Sequence, residues 1–300
     1  MIEEDGQFAY SWDDIESELD NLMDVTGGFS PARRGLLKLK GGENIFVKIG
    51  LHEHTQKWAN REIKVYDYLI RQQYPYIPQP LLTNSDDTAF ALEALTTKQG
   101  WDWQDNWNEE RLDDTLEALD ALAMLKPKGK DREFFSQEQF GQDDNGWVAL
   151  AGNTKIQAAL RRKLRATGFT DLAEQLHIKP EAEKSRKFKF ANNALTHYDI
   201  RADNCAWNAK KHQVKIVDWN WTCLGDRRVD LAAMLTHVHK SGFDVLPKYW
   251  SRLDSEALHW LAGFWLNAAA RPIWPGGPEH LRDMQLLSGV TALKLIARLK

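Results

Sequence analysis

The feature that most constrains the fold is a change of hydrophobic period near residue 96 of the 300-residue chain. Before it, apolar residues recur at every second position in short runs bounded by turn residues, which is the pattern of half-buried strands. Residues 33–40 and 44–49 read as antiparallel strands around a Lys-Gly-Gly-Glu-Asn turn, and two more flank Asn84-Ser85-Asp86-Asp87 and end in FALEAL. One helical stripe interrupts them from His54 to Gln72, with Trp58, Val65, Tyr66 and Leu69 on its apolar side. Glu62 sits in that stripe where an apolar residue belongs, so it needs a partner. Ser11 and Asp14 are spaced to cap a lead-in helix running to about Met23. After Thr96 the period becomes helical, over Asn108–Leu125, Thr154–Arg165, Val229–His239, Ser255–Ala270 and Glu279–Leu299. Between these helices lies one β-hairpin, NCAWN and QVKIVDW joined by Ala209-Lys210-Lys211-His212. Residues 127–152 and the run KPEAEKSRK read as surface loops.

An apolar content of 43% over this length exceeds what one compact core uses, so two lobes are expected: residues 1–95, β-rich with one embedded helix, and residues 96–300, larger and mainly helical. The net charge of −4, with Lys and Arg scattered among acids, offers no basic face for a phosphate backbone and argues against nucleic acid as a partner. The start, MIEEDGQFAYSWDD, is acidic and polar, and no run approaches the roughly 18 apolar residues of a membrane span. A cytoplasmic protein without a membrane partner is expected. Cys205 and Cys223 fit neither a zinc pair nor a disulfide framework and are read as reduced.

Residues 196–208, THYDIRADNCAWN, crowd a histidine, two aspartates, an arginine and an asparagine between apolar neighbours. This is either a charge-rich loop or the centre of an active site. Phosphoryl transfer from ATP needs a carboxylate to orient and deprotonate the attacking hydroxyl, and an amide oxygen with a second carboxylate to hold magnesium on the phosphates. The spacing His197-x-Asp199 followed by Asn204, with Asp218 at the end of the next strand, matches a kinase catalytic loop and metal-binding loop. Upstream, Lys48 ends a strand and Glu62 follows on a helix. A desolvated acid beside a lysine fixes an otherwise mobile ammonium where the α and β phosphates lie.

With the words GGFSPARRG, FVKIG, HYDIRADN, IVDWNW and GDRRVDLAAML in this order, the chain resembles the aminoglycoside phosphotransferase family over about residues 25–240. These are small-molecule kinases of the protein-kinase-like fold, choline and homoserine kinase types included. The resemblance implies an α+β, bilobal protein-kinase-like fold and use of ATP and Mg²⁺. It implies Asp199 as the base, Asn204 and Asp218 as magnesium ligands, Lys48 on the nucleotide phosphates with Glu62 as its partner, and a hinge at Glu93 to Leu95 whose backbone reads adenine. Asp230, after Gly225-Asp226, is similar to the family's helix-initiating Asp, which supports the catalytic loop from behind. The loop over the phosphates departs from a full G-x-G-x-x-G and offers Gly27-Gly28-Phe29-Ser30, so backbone N–H groups at Gly28 and the Ser30 hydroxyl are its candidate contacts. Arg201 stands where protein kinases have a lysine that touches the transferring phosphate; it either stabilises charge there or is structural.

Only twelve positions separate Asp218 from Asp230, Ala-Pro-Glu is absent, and Tyr198 stands beside the catalytic-loop histidine in place of arginine. A phosphorylation-switched protein kinase is therefore disfavoured against a kinase acting on a small-molecule hydroxyl. The stretch TTKQGWDWQDNWNEERLDD mixes three tryptophans with several acids. It suits a cationic acceptor such as an aminoglycoside, an amino sugar or choline; the alternative is a solvated helix start with packed tryptophans. A catalytically inactive nucleotide-binding scaffold is the competing function. His237 and His239, two apart on a helix, read as ordinary helix residues.

Overall fold

The structure is a computed structural model that describes residues 10–25, 31–137, 142–273 and 277–299. Its chain forms two compact units that interleave along the sequence. The first holds residues up to Gln104 together with Glu110–Ala118 and Ala202–Thr222; the second holds Asp105–Glu109, Leu119–Arg201 and Cys223–Lys300.

In the first unit, helix α1 (Trp12–Glu16) and strands β1 (Met23–Asp24), β2 (Arg33–Lys38) and β3 (Asn44–Ile49) precede helix α2 (Glu53–Arg71), followed by β4 (Pro80–Thr83) and β5 (Ala89–Glu93). The strands make one antiparallel sheet in the order β1-β2-β3-β5-β4. The predicted turn between β4 and β5 forms because Asn84 Oδ1 accepts the N–H groups of Thr88 and Ala89 at 2.8 and 2.9 Å. Ile45 and Val47 of β3, Leu37 of β2 and Ala91 of β5 pack with Ile15 and Leu22 as the core of one sheet face.

Three expectations need correction here. The Ser11–Asp14 capping box is present, with Ser11 N–H donating to Asp14 Oδ2 at 2.8 Å, but the helix stops at Glu16 instead of Met23. Met23 and Asp24 are drawn into the sheet by pairing with Leu36 and Gly35. The hairpin of Cys205–Asn208 and Gln213–Ile216 was placed among the helices; it joins the first unit, where Ile216 N–H donates to the Tyr76 carbonyl at 2.7 Å and Trp207 bridges to Asp102. It is also not the lone strand pair of that half, since Ala194–Thr196 pairs with Cys223–Gly225 in the second unit.

The second unit is mostly helical, with its longest helices at Ser255–Ala269 and Leu281–Arg298 packed through buried Leu258, Leu266, Leu286 and Leu295. Residues 127–152, expected as a surface loop, instead contain helices Gly129–Ser136 and Gly146–Ala151. Asn145 caps the latter by accepting the Val148 N–H at 3.3 Å, and Trp147 is fully buried, donating to the His259 carbonyl at 2.7 Å. KPEAEKSRK likewise lies largely in helix Ile178–Ser185, which buries Ile178, Ala182 and Ser185. Charged composition hid a narrow buried stripe in both. Among the described residues no helix is long and apolar enough to cross a membrane.

Candidate active site

One face of the five-stranded sheet is core; the other lines a cavity of about 690 Å³. Register decides which residues reach it: Arg34 lies opposite Lys48, Leu36 opposite Phe46, and Phe46 opposite Leu92. With side chains alternating, these five share one face, and all five border the cavity. Glu62, Glu93, Leu95, Asp203, Asn204 and Asp218 also border it. Arg34 and Asp203 had no assigned role in the sequence. Pairing β2 with β3 would have found Arg34, because it faces Lys48.

Lys48 Nζ lies 2.6 Å from Glu62 Oε2 and 2.7 Å from Asp218 Oδ1. Lys48 and Glu62 are buried and Asp218 is partly so. Burial works to lower the ammonium's pKa, but the Asp218 and Glu62 carboxylates outweigh it and hold Lys48 above its ordinary value. The misplaced acid of the helical stripe thus has its partner. Glu62 Oε1 also accepts the Trp219 N–H at 3.3 Å, so one carboxylate fixes both the lysine and the turn after Asp218. Asp218 has φ 67° and ψ 56°, left-handed backbone that aspartate tolerates, and the 3₁₀ turn Trp219–Trp221 follows at once. The Trp219 indole donates to the Ile216 carbonyl at 2.9 Å and pins that turn. Asn204 is buried, and its carbonyl accepts the Val217 N–H at 3.0 Å, which ties it to the residue before Asp218. At the hinge, Glu93 Oε1 accepts the Gln79 N–H at 3.0 Å and the Leu95 carbonyl accepts the Trp103 indole N–H at 2.9 Å. Gly28 and Ser30 lie outside the described residues.

Asp199 and Arg201 belong to the second unit, where Arg201 Nη1 is 3.1 Å from Asp199 Oδ1. Their loop is held from below. Asp230 accepts the His197 and Tyr198 N–H groups at 2.7 and 2.8 Å, and buried His197 accepts the Asp199 N–H on Nδ1 at 3.2 Å. Burial pushes the Asp230 carboxyl up to about 6 against those two N–H bonds. Tyr198 takes φ 62°, and its ring lies so close to Gly225 that any side chain there would clash with it. The helix expected from Val229 begins at Arg227, because Asp226 is the residue that caps it, accepting the Arg228 N–H at 2.9 Å.

Asp199 and Arg201 border a second, small cavity of about 50 Å³ with His237, Trp260, Phe264 and Trp265. Sequence reasoning missed the last four. They come from two helices whose period explains them as core, and no motif marks them. In the stretch from Thr96 to Asp114, tryptophans and acids make contacts within the fold. Trp101 and Trp107 are buried, while Asp102 accepts the Gln104 N–H at 2.8 Å, Asp105 the Trp107 indole N–H at 2.7 Å and Asp114 the Trp207 indole N–H at 2.8 Å. These three acids are engaged within the fold.

The profile of the phosphotransferase enzyme family matches residues 23–264. No curated protein matches the chain. Among solved structures, choline kinase LicA from Streptococcus pneumoniae is similar with a TM-score of 0.55 at 13% identity, covering 95% of this chain and 98% of that one. An aminoglycoside phosphotransferase from Alicyclobacillus acidocaldarius gives 0.58 at 11% identity over 100% and 98%. The ternary complex of streptomycin, ATP and APH(2″)-IIa gives 0.52 at 15% identity over 94% and 95%. These likenesses show the α+β, protein-kinase-like fold. With the family profile covering most of the sequence, the chain belongs to the phosphotransferase enzyme family.

Proposed function

We propose that the protein transfers the γ-phosphate of ATP to a hydroxyl of a small molecule, using magnesium. The observation that carries this reading is Lys48 held between Glu62 and Asp218 in a cavity that Asn204 also borders. In it, Lys48 contacts the nucleotide phosphates, Glu62 fixes Lys48, the backbone from Glu93 to Leu95 meets adenine, and Gly28 and Ser30 meet the phosphates. Asp199 accepts the hydroxyl proton and Arg201 stabilises charge on the transferred group. Residues 1–95 then serve the nucleotide together with Asn204 and Asp218, and the rest of residues 96–300 carries the catalytic loop and the acceptor side.

The donor set suits magnesium. Among the described residues no group of three or more His, Cys, Asp or Glu side chains could hold a metal by itself. Magnesium asks for less, taking one or two carboxylate or amide oxygens with phosphates and water as the rest, and Asp218 and Asn204 offer those two. When bound, the ion neutralises charge on the phosphates. The amide and carboxylate orient it, and Lys48 holds Asp218 in place.

Similar proteins carry names with choline and streptomycin, which frames the acceptor trial: aminoglycosides, amino sugars, choline, homoserine and simple sugars, scored by ADP release. Label from γ-labelled ATP should move to an acceptor while label from α-labelled ATP stays with the nucleotide. Transfer of the α label, or no turnover of ATP at all, would remove this reading and favour nucleotidyl transfer or an inactive scaffold.

A further inference from the structure

The small cavity of the second unit contains a histidine that no step above employs. His237 lies on helix Arg227–Lys240 and borders the cavity with Asp199 and Arg201. Its Nδ1 is 3.2 Å from Lys240 Nζ, and an ammonium has only protons to give. Nδ1 is therefore the acceptor, and the neutral ring carries its proton on Nε2, the nitrogen left for the cavity. Lys240 is itself fixed, donating to Ser288 Oγ at 3.0 Å, while Ser288 donates to the Met284 carbonyl at 2.9 Å. Burial, followed by the charges of Lys240 and Arg201, pushes the imidazole well below its usual range and keeps it uncharged. The ring stands edge-on to Trp265, with centroids 5.8 Å apart and planes at 82°.

Trp260 also borders the cavity. Trp260 Nε1 is buried and has no hydrogen-bond partner among the described residues, and its indole stacks on Phe264 at 5.6 Å. His237 and the Arg201 guanidinium are hydrogen-bond donors on the cavity's border. Of its two carboxylates, Asp199 is the base, and Asp230 is taken up by two backbone N–H groups. Donors in this number call for oxygen on the ligand. A space of about 50 Å³ admits the reacting end of one ring or a short chain, not several rings.

We propose that His237 reads the acceptor, its Nε2–H donating to an oxygen other than the hydroxyl that reacts at Asp199, and that the acceptor is a compact molecule with at least two oxygens, a single-ring sugar or a short hydroxy acid. The inference rests on the phosphotransferase reading and narrows its acceptor. Lys240 is a positioning residue, acting through the tautomer of His237.

The test uses the full chain with Mg-ATP and four probes: D-glucosamine, L-homoserine, choline, whose single oxygen is the reacting hydroxyl, and kanamycin, which has several rings. D-glucosamine or L-homoserine should raise ADP release above the rate with water. For that probe, H237F should raise KM about tenfold, the scale of one lost hydrogen bond, with KM for ATP unmoved. H237Q, which keeps a side-chain N–H, should recover most of the loss, and K240M should fall between. Stimulation by choline or kanamycin alone, by no probe, or equally poor acceptor KM in H237Q and H237F would overturn the proposal. So would parallel shifts in KM for ATP and acceptor. Should H237F fail to fold by thermal melt, H237Q and K240M still decide: a KM unchanged in K240M overturns the role of the relay. Failure of the phosphotransferase reading shows differently, as no ADP release in any arm, water included.

Discussion

The two cavities are made of opposite materials. That of the first unit is organised by charge: one ammonium satisfied by two carboxylates, with an amide beside them. That of the second unit is walled by tryptophan and phenylalanine, and its polar groups are His237, Asp230 and one Asp–Arg pair. The charged cavity suits a ligand that is always the same, as the nucleotide of the proposed reaction would be, because fixed charges recognise fixed charges. The aromatic cavity suits a ligand chosen by shape, since aromatic walls are generic and only the few donors discriminate.

The largest expected effect breaks the chemistry at the aromatic side alone. Asp199→Asn should lower turnover roughly 100- to 10,000-fold, the range for losing a general base, while Mg-ATP still binds. Steady-state ADP release and a Mg-ATP thermal shift measure the two separately. Turnover at the wild-type rate would remove Asp199 from its role. Next in size is a change confined to the charged side. Glu62→Gln leaves Lys48 with Asp218 as its one carboxylate and weakens the tie to Trp219, so stability should fall by about 3 kcal/mol, at the low end for breaking a buried pair because Asp218 remains. Urea denaturation reads the loss, and KM for ATP should rise more than KM for any acceptor.

A third test separates the units by pH. Asp230 is raised in the folded state from 3.8 to about 6, a difference worth roughly 3 kcal/mol, because burial opposes its charge. The sign follows from that direction: its contribution to stability is fully present below about 3.8 and is lost as pH rises through about 6. Asp230→Asn removes this titration and turns an N–H toward one of the two loop donors, so the variant should be less stable throughout. The gap in Tm between wild type and variant should be widest near pH 4 and narrow by pH 7. A gap that widens with pH would reverse the assigned direction. Lys48, held above its ordinary value as a cation, stays charged throughout that window.

The same contrast explains what the sequence made legible. Charge chemistry leaves marks at fixed spacing, so Lys48, Asp199, Asn204 and Asp218 stand out as candidates through their order along the chain, and Glu62 by interrupting an apolar stripe. Strand register follows a period of two, which is why Arg33–Lys38 and Asn44–Ile49 fell close to their predicted bounds. Aromatic walls leave no such mark. Trp260 and Trp265 on one helix and His237 on another meet only through tertiary packing, and each alone reads as core. Residues 127–152 failed for a related reason: Trp147 and Phe135 are buried singly within polar surroundings, and one buried ring per turn is too sparse a signal against Gly, Asp and Lys. That Asp102, Asp105 and Asp114 of the tryptophan-rich stretch accept hydrogen bonds within the fold is likewise something composition cannot show.

The smallest expected effect tests whether the aromatic wall depends on backbone approach. Gly263 lies in helix Ser255–Ala269 among Trp260, Phe264 and Trp265, and a methyl there would run into the Trp147 ring. Trp147 cannot retreat easily, since it is fully buried, stacked on His259 at 5.4 Å and bonded to its carbonyl. Either the helix shifts or the ring leaves its rotamer, at about 1–3 kcal/mol. Gly263→Ala should therefore lower Tm by about 2–10 °C. The displaced helix carries the acceptor-side wall and none of the charged cluster, so acceptor KM should rise while KM for ATP holds. A loss spread equally over both ligands would mean that the two cavities respond as one body and are not separately built.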